Sequence, residues 1–149
     1  MLIRKAILSD AEAIAEIYKF DLGYETDINS IANKLYVYSL VHCMDENQRE
    51  AIFVAELENE VVGVIHIEKF ETLYYKPIAN VLSLAVKEKY HRKGIGKALM
   101  DEAAKWAKEN ELDEIRLESA SHRKEAHEFY RAIGFDNEKN QIRFLKKLT

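Results

Sequence analysis

The spacing of apolar residues changes several times along the chain, and each change predicts a new element of secondary structure. Short apolar runs between polar segments predict strands over Leu2–Leu8, Ala51–Leu57, Val61–Phe70, Asn80–Val86, Glu114–Ser119 and Ile142–Leu148. Apolar residues three to four positions apart predict helices around Ile14–Tyr18 and Ile28–Tyr38, and over Gly94–Glu109 and Lys124–Ile133. The resulting order, β-α-α-β-β-β-α-β-α-β, is typical of a mixed α/β fold in one domain spanning residues 1–149.

Polar residues at the ends of these runs predict where the elements begin and end. Ser9, with Glu12 three residues later, forms a capping-box pattern, and Asp27 can cap the second helix. Asn110 is expected to end the third helix in the left-handed conformation. The other predicted boundaries are a polar break at Asp21–Thr26, a charged surface loop at Asp45–Glu50, a hairpin turn at Glu58–Glu60, and Gly134 after the fourth helix.

Composition narrows the class of protein further. The net charge of −4 disfavours nonspecific binding to nucleic acid. No apolar run approaches the roughly 20 residues of a membrane span, and the first residues lack the apolar length of a signal peptide. The single cysteine, Cys43, is expected to be an inert buried thiol, and the five histidines show no metal-ligand spacing. We therefore expect a cytoplasmic protein that binds neither nucleic acid nor membrane and holds no metal.

The segment Val86–Met100 carries the clearest functional signal. An apolar strand leads into a loop with Gly94 and Gly96, and the loop leads directly into a helix. The first turn of a helix offers unpaired N–H groups, and glycine lets an anion approach the backbone. Five Lys or Arg residues and one His lie between Lys87 and Lys97, against a single acid. The sequence therefore predicts a polyphosphate site.

Two common phosphate-binding loops do not match this segment. A Walker loop requires Ser or Thr after its Gly-Lys pair, whereas Ala98 follows Lys97 here. A dinucleotide-binding fingerprint requires a third glycine where Leu99 stands. Neither nucleotide-binding class is therefore indicated.

The segment resembles instead the acetyl-CoA pyrophosphate loop of the GNAT superfamily of N-acetyltransferases, whose pattern is Arg/Gln-x-x-Gly-x-Gly/Ala. The matching residues are His91-Arg92-Lys93-Gly94-Ile95-Gly96, and the first position departs from the pattern. A later superfamily motif, Ala-x-x-Phe/Leu-Tyr-x-x-x-Gly-Phe, is matched in register by Ala126, Phe129, Tyr130, Gly134 and Phe135. Arg123 replaces the Asn of many members, as in branches similar to aminoglycoside and aminoalkylphosphonate N-acetyltransferases.

The resemblance implies the GNAT fold, in which a mixed central sheet with flanking helices splays between its fourth and fifth strands. It also implies acetyl-CoA as cosubstrate and Tyr130 as the proton donor to the departing thiolate, although Tyr130 equally suits a core position on the apolar stripe of its helix. The implied cofactor contacts are Leu84, Ala85, Val86, His91, Arg92, Lys93, Gly94, Ile95, Gly96, Lys97, Arg123 and Phe129. Homodimers are frequent in the superfamily, so the resemblance is compatible with one.

The amine-binding side is less determined by the sequence. Asp21, Glu68 and Glu71 are candidates for the base that takes the amine proton, and Tyr24 and Tyr74 for lining the acceptor pocket. A solvated surface role is the simpler interpretation of each carboxylate. We expect an enzyme that transfers acetyl from acetyl-CoA to the primary amine of a small molecule in a ternary complex. A protein N-terminus or lysine is the alternative acceptor, and a catalytically idle acyl-CoA sensor or protein-interaction module is the alternative function.

Overall fold

The computed structural model describes residues 1–44 and 49–149, which form two compact units. The first unit is Met1–Glu118 and the second is Ser119–Thr149. Most of the loop predicted at Asp45–Glu50, and the Cys43 side chain, lie outside the described residues. The organisation as one domain stays a prediction.

The first unit is built on a five-stranded sheet whose strands follow the order of the chain. The strands are β1 (Leu2–Lys5), β2 (Glu50–Leu57), β3 (Glu60–Phe70), β4 (Ile78–Val86) and β5 (Ile115–Leu117). The pairs from β1 to β4 are antiparallel, and β4 pairs with β5 in parallel. A parallel neighbour requires a crossover connection, which the helix between β4 and β5 provides. The predicted mixed sheet is confirmed.

Helices cover both faces of this sheet. The first two, α1 (Ala11–Ile17) and α2 (Ile28–Met44), form a core with β-strand residues that include Val64. Gly63 precedes Val64 on β3 and so faces the opposite side, which α3 (Ile95–Glu109) covers. A Cβ built at Gly63 would lie only 3.0 Å from Leu99 Cδ1. The missing side chain therefore lets α3 approach the sheet closely.

The chain enters α1 through a buried aspartate, and the predicted cap at Ser9 was wrong. A 3₁₀ turn spans Leu8–Asp10 and shortens the predicted first strand. The Asp10 carboxylate accepts the Ile7 N–H at 2.8 Å and binds the Arg4 guanidinium at 2.8 and 3.0 Å. Because Asp10 supplies the acceptor for the entering chain, Ser9 lies inside the turn and does not cap the helix.

Two helix ends also differ from the prediction. One π-helical turn, Tyr18–Leu22, continues α1, so the break begins at Gly23 (φ 74°) and Asp21 is helical. At the end of α3, Asn110 has φ −100°, and the left-handed residue is Glu111 with φ 61°. The Asn110 side chain donates to a main-chain carbonyl of the last helical turn at 2.8 Å. A side-chain hydrogen bond thus ends the helix where a left-handed backbone was expected.

The second unit contains α4 (Lys124–Ala132), which ends before Gly134 (φ 110°) as predicted. The strand predicted over Ile142–Leu148 is wrong, since this segment has no regular structure. Ile142 and Phe144 are 80% and 89% exposed. An apolar pattern supplies a face, but a strand also requires a neighbour for its main-chain groups, and no described residue pairs with this segment.

Gly63→Ala should lower the free energy of unfolding by about 1–3 kcal/mol, because the new methyl group overlaps the Leu99 side chain. Urea unfolding followed by circular dichroism measures the change. Leu99→Val shortens the opposing side chain. The double variant Gly63→Ala/Leu99→Val should therefore lose less free energy of unfolding than the sum of the losses in the two single variants. Strictly additive losses would contradict a steric contact between the two side chains.

Candidate active site

The strands β4 and β5 stay together for only three residue pairs. Beyond the last pair β4 continues to Val86, whereas β5 ends at Leu117. On its other side β4 remains paired with β3 up to Val86. The predicted splay is therefore confirmed, and among the described residues no strand pairs with the β5 side of β4 from Leu82 onward. The three pairs are Ala79–Ile115, Asn80–Arg116 and Val81–Leu117.

The main-chain groups on this open edge belong to Leu84 and Val86. The Lys87 N–H donates to Val62 O on β3 at 2.8 Å. Direction alternates along an antiparallel ladder, so Val86 and Leu84 direct their N–H and C=O groups away from β3. A bulge at Leu82 re-aims the strand just before this stretch. Such an edge can accept an extended chain containing amides as an added strand.

The loop after β4 presents its main chain at the start of α3. Arg92 (φ 61°) and Gly94 (φ 80°) adopt left-handed conformations, and no side chain caps the helix that begins at Ile95. A Cβ at Gly94 would meet nothing within 4 Å, so the space beside the loop is open. The unpaired N–H groups of the first helical turn favour an anion there. This geometry fits a diphosphate.

Carboxylates bind several of the basic side chains in this segment. Lys87 Nζ lies 2.7 Å from Glu60, to which the Tyr90 hydroxyl also donates at 3.1 Å. These hydrogen bonds lower the pKa of Glu60, and the bond to Glu60 raises the pKa of Lys87. Lys97 pairs with Asp101 at 2.8 Å. Fewer cations are therefore available to an anion than the count of basic residues indicates.

His91 and Asp21 meet at the end of β4. His91 Nε2 lies 2.7 Å from Val86 O and 2.8 Å from Asp21 Oδ1. Asp21 Oδ2 accepts the Val86 N–H at 3.2 Å, and the Asp21 side chain is 11% exposed. The sequence suggested a pyrophosphate contact for His91 and an acceptor contact for Asp21. The structure brings both side chains to the main chain of Val86.

A row of polar side chains crosses β3, β4 and β5 where the splay begins. Asn80 Nδ2 donates to Glu68 Oε2 at 2.9 Å, and Arg116 donates to Asn80 Oδ1 at 3.0 Å. Arg116 also binds Glu118 at 2.7 Å. Asn80 is only 8% exposed, so its two bonds satisfy a buried carboxamide. The Glu68 carboxylate is thereby fixed beside the splay.

A cavity of about 180 Å³ lies between α1, α2 and the sheet. The hydroxyl of Tyr18 in its wall lies 2.7 Å from Ser83 Oγ on β4, and burial raises the pKa of this phenol. His66 Nε2 is buried 3.6 Å from the Glu50 carboxylate, too far for a hydrogen bond, and burial lowers the pKa of His66. The lining is mostly apolar and includes Ile14, Ile31, Leu35 and Ile52.

The other acceptor-side candidates are more exposed. Glu71 lies 3.3 Å from Lys69 and 3.6 Å from Arg49. Tyr24 and Tyr74 are 60% and 86% exposed. Among the sequence-predicted carboxylates, Glu68 and Asp21 contact β4, whereas Glu71 pairs with two cations.

In the second unit, the aromatic ring of Tyr130 packs between two others. Its centroid lies 5.4 Å from that of Phe129 and 5.8 Å from that of Phe135, both edge to face. Arg123 precedes α4, and its main-chain carbonyl accepts the main-chain N–H of His127 at 3.2 Å. Tyr130 is half-buried, which suits both packing of its ring and a polar contact of its hydroxyl.

Metal binding and membrane insertion each require features that are lacking in the described part of the chain. There, no group of three or more His, Cys, Asp or Glu side chains could hold a metal ion. None of the described helices combines the length and apolarity needed to cross a membrane.

The model of the acetyltransferase (GNAT) family matches residues 11–135, which include the splayed strands, the glycine loop and α4. Both motifs and the architecture thus agree with one class of enzyme, the acyl-transferring N-acetyltransferases. The chain belongs to the acetyltransferase (GNAT) family.

Individual relatives differ in the acceptors that their names imply. An N-alpha-acetyltransferase of Sulfurisphaera tokodaii is 32% identical over 143 residues, covering 89% of this chain and 78% of the relative. Streptothricin acetyltransferase A of Bacillus subtilis is 35% identical over 85 residues, 57% of this chain and 47% of the relative. The structure of AAC(6')-Iy with a bisubstrate analogue of coenzyme A superposes with a TM-score of 0.79 at 15% identity, covering 99% and 98% of the chains. This last likeness shows the fold alone.

Sequence analysis missed several residues that organise the site. Asn80 and Ser83 are the two polar residues of the mainly apolar strand β4, and this signal was available. Glu60 begins β3 directly after a hairpin turn of ordinary composition, so its bond to Lys87 has no local signature. The contact between Asp21 and Val86 joins residues 65 positions apart, beyond any periodic pattern.

The buried His66 should make stability depend on pH. Its pKa in the folded state lies below the unfolded value of about 6.5, so the unfolded chain binds the proton more readily. The contribution of neutral His66 to the free energy of unfolding is therefore complete above about pH 6.5 and decreases as the pH falls below that value. Urea unfolding between pH 7.5 and 5.5 should show a shallower decline for His66→Gln than for wild type. The exposed His122 provides a control, since His122→Gln should parallel wild type, and parallel curves for all three would contradict the prediction.

Proposed function

We propose that this acetyltransferase moves the acetyl group of acetyl-CoA to the primary amine of a small molecule by direct transfer in a ternary complex. One observation carries the proposal: the open edge of β4 from Leu82 to Val86 leads directly into the glycine loop at the start of α3. The edge suits the amides of a pantetheine arm, and the helix start suits a diphosphate. The two features occur in the order in which coenzyme A presents these groups.

In this proposal the cofactor is bound mainly by main-chain atoms. Leu84 and Val86 pair with the pantetheine arm through their outward groups, with Ala85 between them. The amides of the helix start contact the diphosphate, and Arg92 and Lys93 add positive charge near it. The residues assigned to the diphosphate are Gly94, Ile95, Gly96 and Lys97.

The chemistry requires two proton transfers. A primary amine with a pKa of about 10.4 must lose a proton before it attacks the thioester carbon. Attack forms the amide bond and breaks the carbon–sulfur bond, and the departing thiolate must gain a proton. A phenol, with a pKa near 10, can supply that proton to a desolvated thiolate. We assign this role to Tyr130 because it occupies the tyrosine position of the superfamily motif.

Glu68 is the residue we assign to the amine proton. Its carboxylate is fixed by Asn80 where β4 and β5 separate, which is where the thioester would lie if the pantetheine arm follows β4. Glu71 has two cations within 4 Å, which offset its charge. Glu68 is therefore the better placed base.

A protein N-terminus is the second candidate acceptor, and one structural observation favours it. The walls of the cavity between α1 and α2 are mostly apolar, which suits an aliphatic side chain better than a polycationic sugar. The N-alpha-acetyltransferase relative, which aligns with 89% of this chain, agrees with that chemistry.

Release of free thiol from acetyl-CoA, measured with an amine panel, tests the proposal. The panel contains an aminoglycoside, streptothricin, a polyamine, and short peptides beginning with Met, Leu or Ser. We expect kcat/KM to be highest for a small-molecule amine. Turnover confined to peptides would support the second candidate, and cofactor binding without any turnover would support an idle acyl-CoA sensor.

Tyr130→Phe should lower kcat by about 10²–10⁴-fold, because the proton donor to the thiolate is lost while the ring remains. The affinity for acetyl-CoA, measured by calorimetry, should stay within about twofold of wild type. Tyr36→Phe on the exposed side of α2 serves as the control for removal of a phenol. Wild-type kcat in Tyr130→Phe would exclude the assigned role.

Glu68→Gln should lower kcat with the amine acceptor by at least about tenfold, since the amide cannot accept the amine proton. The loss should shrink as the pH rises toward the pKa of the free amine, where the acceptor is already neutral. Glu71→Gln changes the same group three residues away and should leave the rate near that of wild type. Equal losses in both variants, or a loss independent of pH, would argue against Glu68 as the base.

A further inference from the structure

The main chain at the end of β4 is already hydrogen bonded by two side chains. The Val86 N–H donates to Asp21, and His91 Nε2 lies 2.7 Å from Val86 O. His91 Nε2 also lies 2.8 Å from Asp21, so the three groups form a closed triangle. We call the two side chains the Asp21–His91 clamp.

We propose that the Asp21–His91 clamp occupies the position of the cofactor's pantetheine arm at Val86, and that acetyl-CoA must displace the clamp to bind. This inference rests on the proposed function, because it uses the same edge of β4. The clamp imitates the arm chemically: the Asp21 carboxylate accepts as an amide carbonyl would, and the His91 ring donates as an amide N–H would.

The clamp and the pantetheine arm compete because they require the same main-chain groups of Val86. Val86 has one outward N–H and one outward C=O, and each is engaged at hydrogen-bond distance. An added strand at this edge requires the same two groups. Asp21 and His91 can leave together with their mutual contact intact, so the arm has to replace only two hydrogen bonds.

The location of Asp21 makes such a displacement local. Asp21 belongs to the single π-helical turn between α1 and Gly23, and Gly23 ends that turn with φ 74°. His91 follows the 3₁₀ turn Glu88–Tyr90, outside β4 and α3. The two side chains can therefore move away from Val86 without a shift of β4 or α3, although Asp21 lies in the turn that continues α1.

The clamp makes a prediction about affinity that differs between two ligands. Acetyl-CoA contains the pantetheine arm, whereas 3'-phosphoadenosine 5'-diphosphate contains only the part that faces the glycine loop. Loss of the clamp should therefore raise the affinity for acetyl-CoA and leave the affinity for 3'-phosphoadenosine 5'-diphosphate unchanged. A net hydrogen bond corresponds to a factor of about two to ten in affinity.

Isothermal titration of both ligands into wild type, Asp21→Ala and His91→Ala tests this prediction. We expect both variants to bind acetyl-CoA about two- to tenfold tighter than wild type, with unchanged affinity for 3'-phosphoadenosine 5'-diphosphate. Asp27→Ala is the matched control, because Asp27 is exposed and its carboxylate contacts Ser30. Thermal unfolding verifies that each variant is folded. If Asp21→Ala does not fold, His91→Ala alone tests the proposal.

Three results would contradict the proposed displacement of the clamp. The affinity of the folded variants for acetyl-CoA could equal that of wild type, it could be lower, or the affinities for both ligands could change in parallel. The last result would show that the pair shapes the glycine loop instead. Failure of the proposed function is distinct, because wild type itself would then release no thiol with any amine of the panel, whether or not it binds the two ligands.

Discussion

The loss of pairing between β4 and β5 after Val81 is the constraint on which the site depends. Main-chain groups without partners inside a covered sheet cost about 1–3 kcal/mol each. β4 tolerates the separation because β3 pairs with it as far as Val86. The short β5 and the bulge at Leu82 place the gap directly after the last shared pair. An edge in this condition requires a partner, whether from the chain itself or from a ligand.

The strand β3 also determines where the loop and α3 lie. Gly63 leaves room for the Leu99 side chain, so the first turns of the helix rest close to the sheet. Glu60 at the start of the same strand binds Lys87 and Tyr90 of the loop. One strand thus positions the loop and the first turns of α3, which the proposed function assigns to the diphosphate, and no described side chain caps that helix start.

Most features that depend on neighbouring residues could be predicted from the sequence, although the caps expected at Ser9 and Asn110 were wrong. Features that depend on distant partners could not be predicted. The start of α3 was predicted within one residue, because glycine and apolar spacing act locally. Ile142–Leu148 has the apolar content of a strand but no described partner. The clamp joins Asp21 to Val86 across 65 positions, so the chemistry of Asp21 was noticed but its contact was not. Asn80 is visible in the sequence as a polar residue of β4, but its partners could not be predicted, because Glu68 and Arg116 lie on two other strands.

The departure of His91 from the superfamily pattern now has a physical basis. Its ring contacts the end of β4 and Asp21, and under the proposed function the diphosphate is bound by main-chain amides, which every substitution except proline retains. Recognition through main-chain atoms is compatible with low identity among proteins that share the fold. Under the proposed function, the amine lies on the α1–α2 side of the sheet, where the apolar cavity, His66 and the fixed carboxylate of Glu68 are found. Substitutions there would change the choice of acceptor without altering the main-chain atoms assigned to the cofactor.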